Sequence, residues 1–297
     1  MGMGVVVLSE AEWTARRDAH AARVRAWTGP HHERKAAGIK HPVLDFLFSY
    51  YSHRPSRLER WHPGPGVLLE GGKARDYLRW PVYRETADGV ELDVAAFARE
   101  RAKTVAFAHR LLTATASRAP RFGCFGLHEW AMVYRQRPDQ VRHRAWPLRL
   151  GSAGTDAVVE SQRVQCGHFD AFRFFTPQAR PLNALQPTRE TQVDLEQPGC
   201  LHASMDLFKW SYKLDPATPS ELVADCFELA LRVRELDMRA SPYDLAELGY
   251  PPVPIETAEG RAEYVRRQSA FAEQAAPLRA ALIGLTRTLL DAPVAGV

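Results

Sequence analysis

The sequence has no long hydrophobic run. Its longest stretch with few polar side chains, residues 43–51, is far shorter than the roughly 20 apolar residues needed to span a bilayer. The first residues, MGMGVVVLSE, have neither the basic segment nor the long apolar segment of a secretory signal. We therefore expect no membrane as partner and a cytoplasmic location.

Cysteine is also scarce, since the 297 residues include only four. Four cysteines in a chain without a secretory signal indicate free thiols rather than a disulfide framework. The sequence contains no CxxC pair, no HExxH and neither of the phosphate-binding glycine motifs GxxxxGK[ST] and GxGxxG. These absences exclude the strongest zinc and nucleotide-binding signatures, and they leave weaker metal-ligand patterns open.

The remaining composition is typical of a water-soluble globular chain, with 45% hydrophobic and 25% charged residues. Apolar residues recur at helical spacing over much of it, and no internal repeat is present. The predicted helices cover residues 10–28, 93–117, 218–240 and 257–291, the last with a kink at Pro277. Strand character is predicted for residues 71–84, before an Asp-Gly turn, and more weakly for 156–165. We predict a mainly α fold, a single large helical domain over residues 1–297 with a minor β element.

Two Ser/Thr-x-x-Glu patterns mark helix starts. Ser9 and Glu12 form a capping box for the first helix, which Gly29-Pro30 should end. Thr218 and Glu221 form a second box, with Pro219 at the first helical position.

Charge is distributed unevenly along the chain. Residues 1–150 hold 25 Lys and Arg against 15 Asp and Glu, whereas residues 151–297 hold 14 against 20. The first half therefore carries +10 and the second −6. A basic half attracts polyanions such as DNA. An ordinary solvated surface is the alternative, because arginine outnumbers lysine 33 to 6 throughout the chain.

Three stretches place a histidine beside an acid within an aromatic run. The first is residues 196–213, EQPGCLHASMDLFKWSYK, where His202 and Asp206 are four apart and so share one face of a helix. The others are GCFGLHEWAMVYR, with Glu129, and CGHFDAFRFFTP, with Asp170. Such polar groups are costly among buried rings unless they satisfy one another. We therefore expect the three stretches to meet at one cavity.

The first interpretation of this pattern is a metal site. His128, His168 and His202 each lie close to an acid or a cysteine, and imidazole, carboxylate and thiolate are ligands for zinc or iron. Hydrogen-bonded core residues would give the same pattern. This pattern assigns no cofactor with certainty, and zinc and iron are the candidates.

The second interpretation is a pocket for a nucleobase, which needs rings for stacking and a carboxylate to activate water. Asp206 is the preferred catalytic carboxylate, with Glu129 and Asp170 behind it and His202 orienting it. The rings proposed to bind the base are Trp130, Tyr134, Phe172, Phe174, Trp210 and Tyr212. Arg54, Arg57 and Arg60 are proposed to bind the phosphate backbone. Aromatic residues at these spacings are more often part of a protein core.

The third interpretation is catalysis by a cysteine nucleophile. Cys200 follows Pro-Gly near a predicted helix start, a position that lowers the pKa of a thiol. His202 is only two residues away and would diverge from it on a helix, so it is poorly placed as the base.

Several of these blocks carry a family resemblance. They are HPVLDFLFSYYSHRP, WHPGPG, GCFGLHEWAMVYR, HFDAFRFFTP, EQPGCLHASMDLFKWSYKL and ELDMRASPYDLAELGY. The chain resembles a group of actinobacterial proteins commonly labelled 3-methyladenine DNA glycosylase, and the resemblance implies a role in DNA repair. No helix-hairpin-helix glycine loop followed by a catalytic Asp is present, so the resemblance assigns no catalytic residue.

The leading hypothesis is therefore excision of an alkylated purine from DNA. The first alternative is a helical metalloenzyme acting on a small molecule, with zinc or non-haem iron. The second is a nucleic-acid-binding protein without catalytic activity. The sequence assigns no oligomeric state.

Overall fold

The computed structural model describes residues 4–141 and 145–292. It confirms the mainly α fold with a minor β element. The helices are α1 (Glu10–Ala36), α2 (Phe46–Tyr50), α3 (Pro55–Leu58), α4 (Val94–Glu100), α5 (Ala102–Ala116), α6 (Leu127–Ala131), α7 (Gly151–Ser161), α8 (Phe169–Phe172), α9 (Gln192–Leu195), α10 (Leu201–Lys213), α11 (Ser220–Arg239) and α12 (Ala258–Leu290). Short 3₁₀ helices cover Gly72–Arg79, Pro138–Gln140, Arg180–Leu182 and Ala246–Leu248. No helix in the described ranges is both long and apolar enough to cross a bilayer.

The β element is a four-stranded sheet at one side of the helices. Its strands are β1 (Val6–Leu8), β2 (Val67–Leu69), β3 (Tyr83–Glu85) and β4 (Val90–Leu92), in the order β1-β2-β4-β3. β1 pairs parallel with β2, and the other pairs are antiparallel. The predicted Asp-Gly turn joins β3 to β4, where Thr86 N donates to Gly89 O. Most of residues 71–84 form a 3₁₀ helix instead of the predicted strand.

The core forms where α10 packs between α11 and α12, with α5 on the far side of α12. One hydrophobic cluster extends from Trp13 to Leu289. Ten of the thirteen residues of α10 are buried, because neighbouring helices cover it on nearly all sides. Its polar residues are therefore inside the protein and need polar partners.

Several helix boundaries differ from prediction. The capping box at Ser9 is present, but α1 continues through Pro30 to Ala36. The last turns of α1 are held from outside the helix, since His31 and Arg34 both bind Asp45. This tertiary contact offsets the hydrogen bond that Pro30 cannot donate.

Three further boundaries were wrong. Residues 93–117 form two helices, because Arg101, with φ −107° and ψ 15°, leaves the helical conformation. The weak strand prediction for residues 156–165 falls mainly on α7, whose buried Thr155, Val158 and Val159 have helical spacing. The second capping box does not form, because Thr218 Oγ1 donates to Ser211 O and Glu221 binds Arg16 and Trp61.

α12 begins at Ala258, capped by the Thr257 side chain, and runs through Pro277 as one element. The basic sequence of residues 142–150, with Trp146-Pro147, is typical of a turn; it lies partly outside the described residues, which resume at Ala145.

Candidate metal centre

The start of α10 is fixed by a close approach between two loops. Gln197 Oε1 accepts from both Arg121 N and Gly199 N. A Cβ on Gly199 would lie 2.7 Å from Arg121 O, so the position requires glycine. Cys200 caps the helix, and α10 then carries His202, Asp206 and Lys209 into the core.

A first group of three side chains meets beside His202. His128 Nε2 lies 2.7 Å from Asp237 Oδ1, and His202 completes the group. One ligand atom from each residue lies within 4.8 Å of the other two, and all three side chains are buried. Two imidazoles and a carboxylate are a ligand set that binds zinc or non-haem iron.

Arg234 fixes the acidic side of this group. Its Nη1 donates to Glu129 Oε1 and to Asp237 Oδ2, both at 2.8 Å. Phe46 covers the guanidinium, whose Cζ lies 3.7 Å from the ring centre. Arg234 is 1% exposed, so its charge acts in a site shielded from water.

A second group lies on the other side of His202. His168 Nε2 is 3.2 Å from Glu196 Oε1 and 3.4 Å from Asp206 Oδ2, and the three residues are buried. Neither ring nitrogen of His168 makes a hydrogen bond within the described residues. Gln192 Nε2 donates to Glu196 Oε1 at 2.6 Å and orients that carboxylate. This group also satisfies the geometry of a three-ligand metal site.

Asp206 is held from two further sides. Tyr51 Oη donates to Oδ1 at 2.7 Å, and Lys209 Nζ donates to Oδ2 at 2.8 Å. Lys209 also binds Asp170 Oδ2 at 2.6 Å, which connects the third predicted carboxylate to the same network. Although burial raises the pKa of Asp206, Lys209 and His168 outweigh that effect and hold the pKa well below its usual range.

The three histidines have different electrostatic surroundings. Burial lowers the pKa of His202 far below its usual value, and the charge of His128 lowers it further, so His202 is neutral. Burial opposes charge on His128 too, but Asp237 raises the net pKa of its imidazole. Burial likewise opposes charge on His168, where Glu196 and Asp206 produce a net increase in pKa.

The expected convergence of the three histidines is present. The ring centre of His202 lies 4.5 Å from that of His128 and 5.1 Å from that of His168. His202 and Asp206 come from the same helix, yet they belong to different three-residue groups. The network thus brings together all four predicted catalytic residues and all three predicted metal ligands.

Two small cavities adjoin His202. One, of about 70 Å³, is lined by residues that include His128, His168, His202 and Glu196. The other, of about 20 Å³, is lined by Glu129, Asp170, His202 and Arg234, with Phe46 among the apolar residues. Such volumes hold an ion and a few waters, whereas ligand pockets usually measure about 300–1,000 Å³. The cavities are therefore on the scale of a metal centre.

A much larger groove lies on the surface nearby. It measures about 680 Å³, and its lining includes the exposed Lys35 and Lys40, with Trp146 and Phe46. Phe46 lines both this groove and the 20 Å³ cavity.

The cysteine interpretation is not supported. Burial raises the pKa of Cys200 far above its usual value, which opposes thiolate formation. Cys124 and Cys166 line the same 70 Å³ cavity as Cys200, and Cys124 Sγ lies 3.8 Å from His128 Nδ1. All four cysteines are free thiols, as predicted.

The predicted base-binding rings do not form one surface. Trp130 is fully buried and donates to Ala240 O, and Trp210, 6% exposed, packs on Phe107. These two tryptophans are core residues rather than ligand-binding rings, because both side chains are buried. Phe174 lines the 20 Å³ cavity.

The three remaining rings have partners in the protein. Tyr134 donates to Glu160, Phe172 packs on Phe175, and Tyr212 stacks on His53. The predicted phosphate-binding arginines Arg54, Arg57 and Arg60 are exposed at α3.

Sequence reasoning missed Arg234, Asp237 and Glu196 as members of the site. Arg234 and Asp237 are three residues apart on α11, on a face that otherwise buries Val233 and Leu236. A charged pair on an apolar helix face is the signal that would have identified them. Glu196 stands at the start of the stretch that carries His202, but it precedes the helix and gives no periodic signal.

No protein-family description, curated protein or solved structure matches this chain. Its function is therefore argued from the site.

Proposed function

We propose that this protein is a metal-dependent enzyme that binds zinc or non-haem iron and acts on a small molecule. The observation that carries the proposal is the buried group of His128, His202 and Asp237, with ligand atoms within 4.8 Å of one another. A divalent ion would replace the proton between His128 and Asp237, because both atoms must be deprotonated to bind it. Arg234 would keep the Asp237 carboxylate in position.

The charge of the network is compatible with a bound cation. Five carboxylates take part: Glu129, Asp170, Glu196, Asp206 and Asp237. They contact the cations Lys209 and Arg234, and at the rim Arg173, whose side chain is 44% exposed. Five carboxylates against these three cations leave two negative charges, which protons on His128 and His168 balance, in line with the raised pKa of each imidazole. A divalent ion that displaces those two protons would balance the same two charges.

A bound ion would supply Lewis acidity, and with zinc it would also lower the pKa of a bound water. The cavity of about 70 Å³ beside His128 and His202 has room for such a water. The surface groove beyond Phe46 has the volume of a small-molecule pocket.

The test is metal analysis of protein purified without a histidine tag. We expect a stoichiometric transition metal in the parent and its loss from His202→Gln. His62→Gln is the matched control, because His62 is equally buried but hydrogen-bonds Tyr83 Oη outside the network. A parent that holds no metal and takes none up after dialysis against zinc or anaerobic iron would refute the proposal.

A second proposal is a DNA glycosylase that releases an alkylated purine such as 3-methyladenine. What supports it is the surface groove, which is large enough for a base and carries Lys35, Lys40 and Trp146 for phosphate and ring contacts. Release of methylated purine from alkylated DNA is the test. DNA binding without release would instead favour the nucleic-acid-binding alternative. If the protein neither binds DNA nor releases methylated purine, both of these proposals are wrong.

A further inference from the structure

We infer that the site binds a second divalent transition-metal ion at His168, Glu196 and Asp206, so that two ions lie on either side of His202. This inference rests on the proposed metal-dependent function and adds the number of ions to it. The two groups contain six different residues, and no ligand is counted twice.

The first argument is the state of His168. It is 1% exposed, and neither ring nitrogen has a hydrogen-bond partner within the described residues. Buried polar atoms are almost always satisfied, so a buried imidazole that forms ion pairs but no well-directed hydrogen bond needs an explanation. Its Nε2 lies 3.2 Å from Glu196 Oε1 and 3.4 Å from Asp206 Oδ2, and an ion placed among these three atoms would bind all of them.

The second argument is that the acidic ligands are oriented by other residues. Gln192 holds Glu196, and Tyr51 and Lys209 hold Asp206. A carboxylate has about four lone-pair sites, so Asp206 can accept both bonds and still bind an ion. Such supporting hydrogen bonds are typical of metal ligands.

The third argument is proximity to the first group. The ring centres of His168 and His202 are 5.1 Å apart, and both residues line the 70 Å³ cavity with His128. Two-metal sites in enzymes hold their ions about 3.5–4 Å apart and stabilise both the attacking and the leaving oxygen of a reaction. The alternative is an imidazolium of His168 paired with its two carboxylates.

The experiment counts metal in untagged protein. The holoprotein is analysed by inductively coupled plasma mass spectrometry, then freed of metal with a chelator and titrated with Co²⁺, whose absorption reports each site. We expect two equivalents in the parent, one in Glu196→Gln and one in Asp237→Asn. Glu256→Gln is the control and should retain two equivalents of metal, because Glu256 pairs with Arg149 outside the network.

Electron paramagnetic resonance of the parent with two Co²⁺ is a measurement that needs no variant. Spin coupling between the ions is expected if both bind beside His202. Saturation at one equivalent in the parent and in Glu196→Gln would overturn the second ion and leave the proposed function intact. No uptake by the parent would overturn both.

Discussion

Arg234 shows how much one residue contributes to this site. Its guanidinium is the buried cation that contacts both Glu129 and Asp237, at 2.8 Å each. Removing one partner of a buried ion pair leaves the other charged group without compensation, which costs about 3–5 kcal/mol. The loss is therefore larger than the net contribution of the pair itself.

Arg234→Met should lower the free energy of unfolding by about 3–5 kcal/mol. Methionine fills part of the volume beside Phe46 and removes the charge. Urea unfolding in the presence of a chelator measures the effect without a contribution from bound metal.

Adding Glu129→Gln to Arg234→Met should recover part of that stability, because it removes the carboxylate that loses its ion pair with Arg234, whereas Asp237 keeps its contact with His128. If the double variant is no more stable than Arg234→Met, the cost comes from poorer packing and the electrostatic account is wrong.

His53 makes stability depend on pH. Its side chain is buried, stacked on Tyr212, and burial together with Arg57 and Arg60 lowers its pKa to about 4 from a usual 6.5. Between those values the unfolded chain binds a proton that the folded protein does not. The free energy of unfolding should therefore fall as the pH drops from about 6.5 to about 4, by up to about 3 kcal/mol.

His53→Gln should flatten this pH dependence, since glutamine does not titrate. Urea unfolding of both proteins between pH 7 and pH 4 measures the difference. That difference isolates His53 from Asp215, whose pKa burial raises to about 6 and whose contribution to stability is lost as the pH rises. Parallel pH curves for the two proteins would refute the assignment.

Half of the site was readable at the residue scale. His128, His168 and His202 stand out because each lies beside an acid within an aromatic run, and the structure brings their rings together. Asp237 was missed, although it forms a charged pair with Arg234 on an apolar face of α11. Its role depends on how α11 packs against α10, which local sequence does not specify.

At the scale of the element, α12 offers a matched pair of glycines. Gly260 is buried in its first turn, and a Cβ there would overlap the carbonyl oxygen of Pro254. Gly284 is exposed on the same helix, and a Cβ there would meet nothing within 4 Å.

Gly260→Ala should lower the free energy of unfolding by about 1–3 kcal/mol, because backbone must move to admit the methyl group. Gly284→Ala should raise it by roughly 0.5–1 kcal/mol, since alanine favours the helix. Chemical unfolding of both variants checks the pair. Equal effects of the two substitutions would show that the contact with Pro254 does not decide the position of the first turn.

The helices were more predictable than their ends. α11 and α12 lie in the predicted helical segments 218–240 and 257–291. α1 passes Pro30 because Asp45, in a different segment, holds its last turns. The capping box at residue 218 fails because the Thr218 hydroxyl donates to Ser211 O and Glu221 binds Arg16 and Trp61. Both exceptions come from tertiary contacts that local sequence does not contain.

At the scale of the whole molecule, part of the charge asymmetry is internal. Arg16 binds Glu221, and Arg23 binds Asp225 and Glu228, so basic α1 docks on acidic α11. Arg149 binds Glu256 in the same way across the two halves. The +10 of the first half therefore overstates the charge available to a partner. Arg54, Arg57 and Arg60 are exposed and belong to the charge that remains.

This remaining charge provides the test of DNA binding. If Arg54, Arg57 and Arg60 contact phosphates, the logarithm of affinity should fall with the logarithm of salt concentration by about 0.9 per phosphate bound. Replacing all three with alanine should reduce the steepness of this slope by up to about 0.9 for each arginine that binds a phosphate. Fluorescence anisotropy with duplex DNA at several salt concentrations measures the slope. The control replaces Arg189, Arg266 and Arg287, which are exposed in the acidic half and change net charge equally. An affinity that ignores salt, or the same flattening of the slope in both triple variants, would show that the exposed arginines at α3 form no specific phosphate-binding surface.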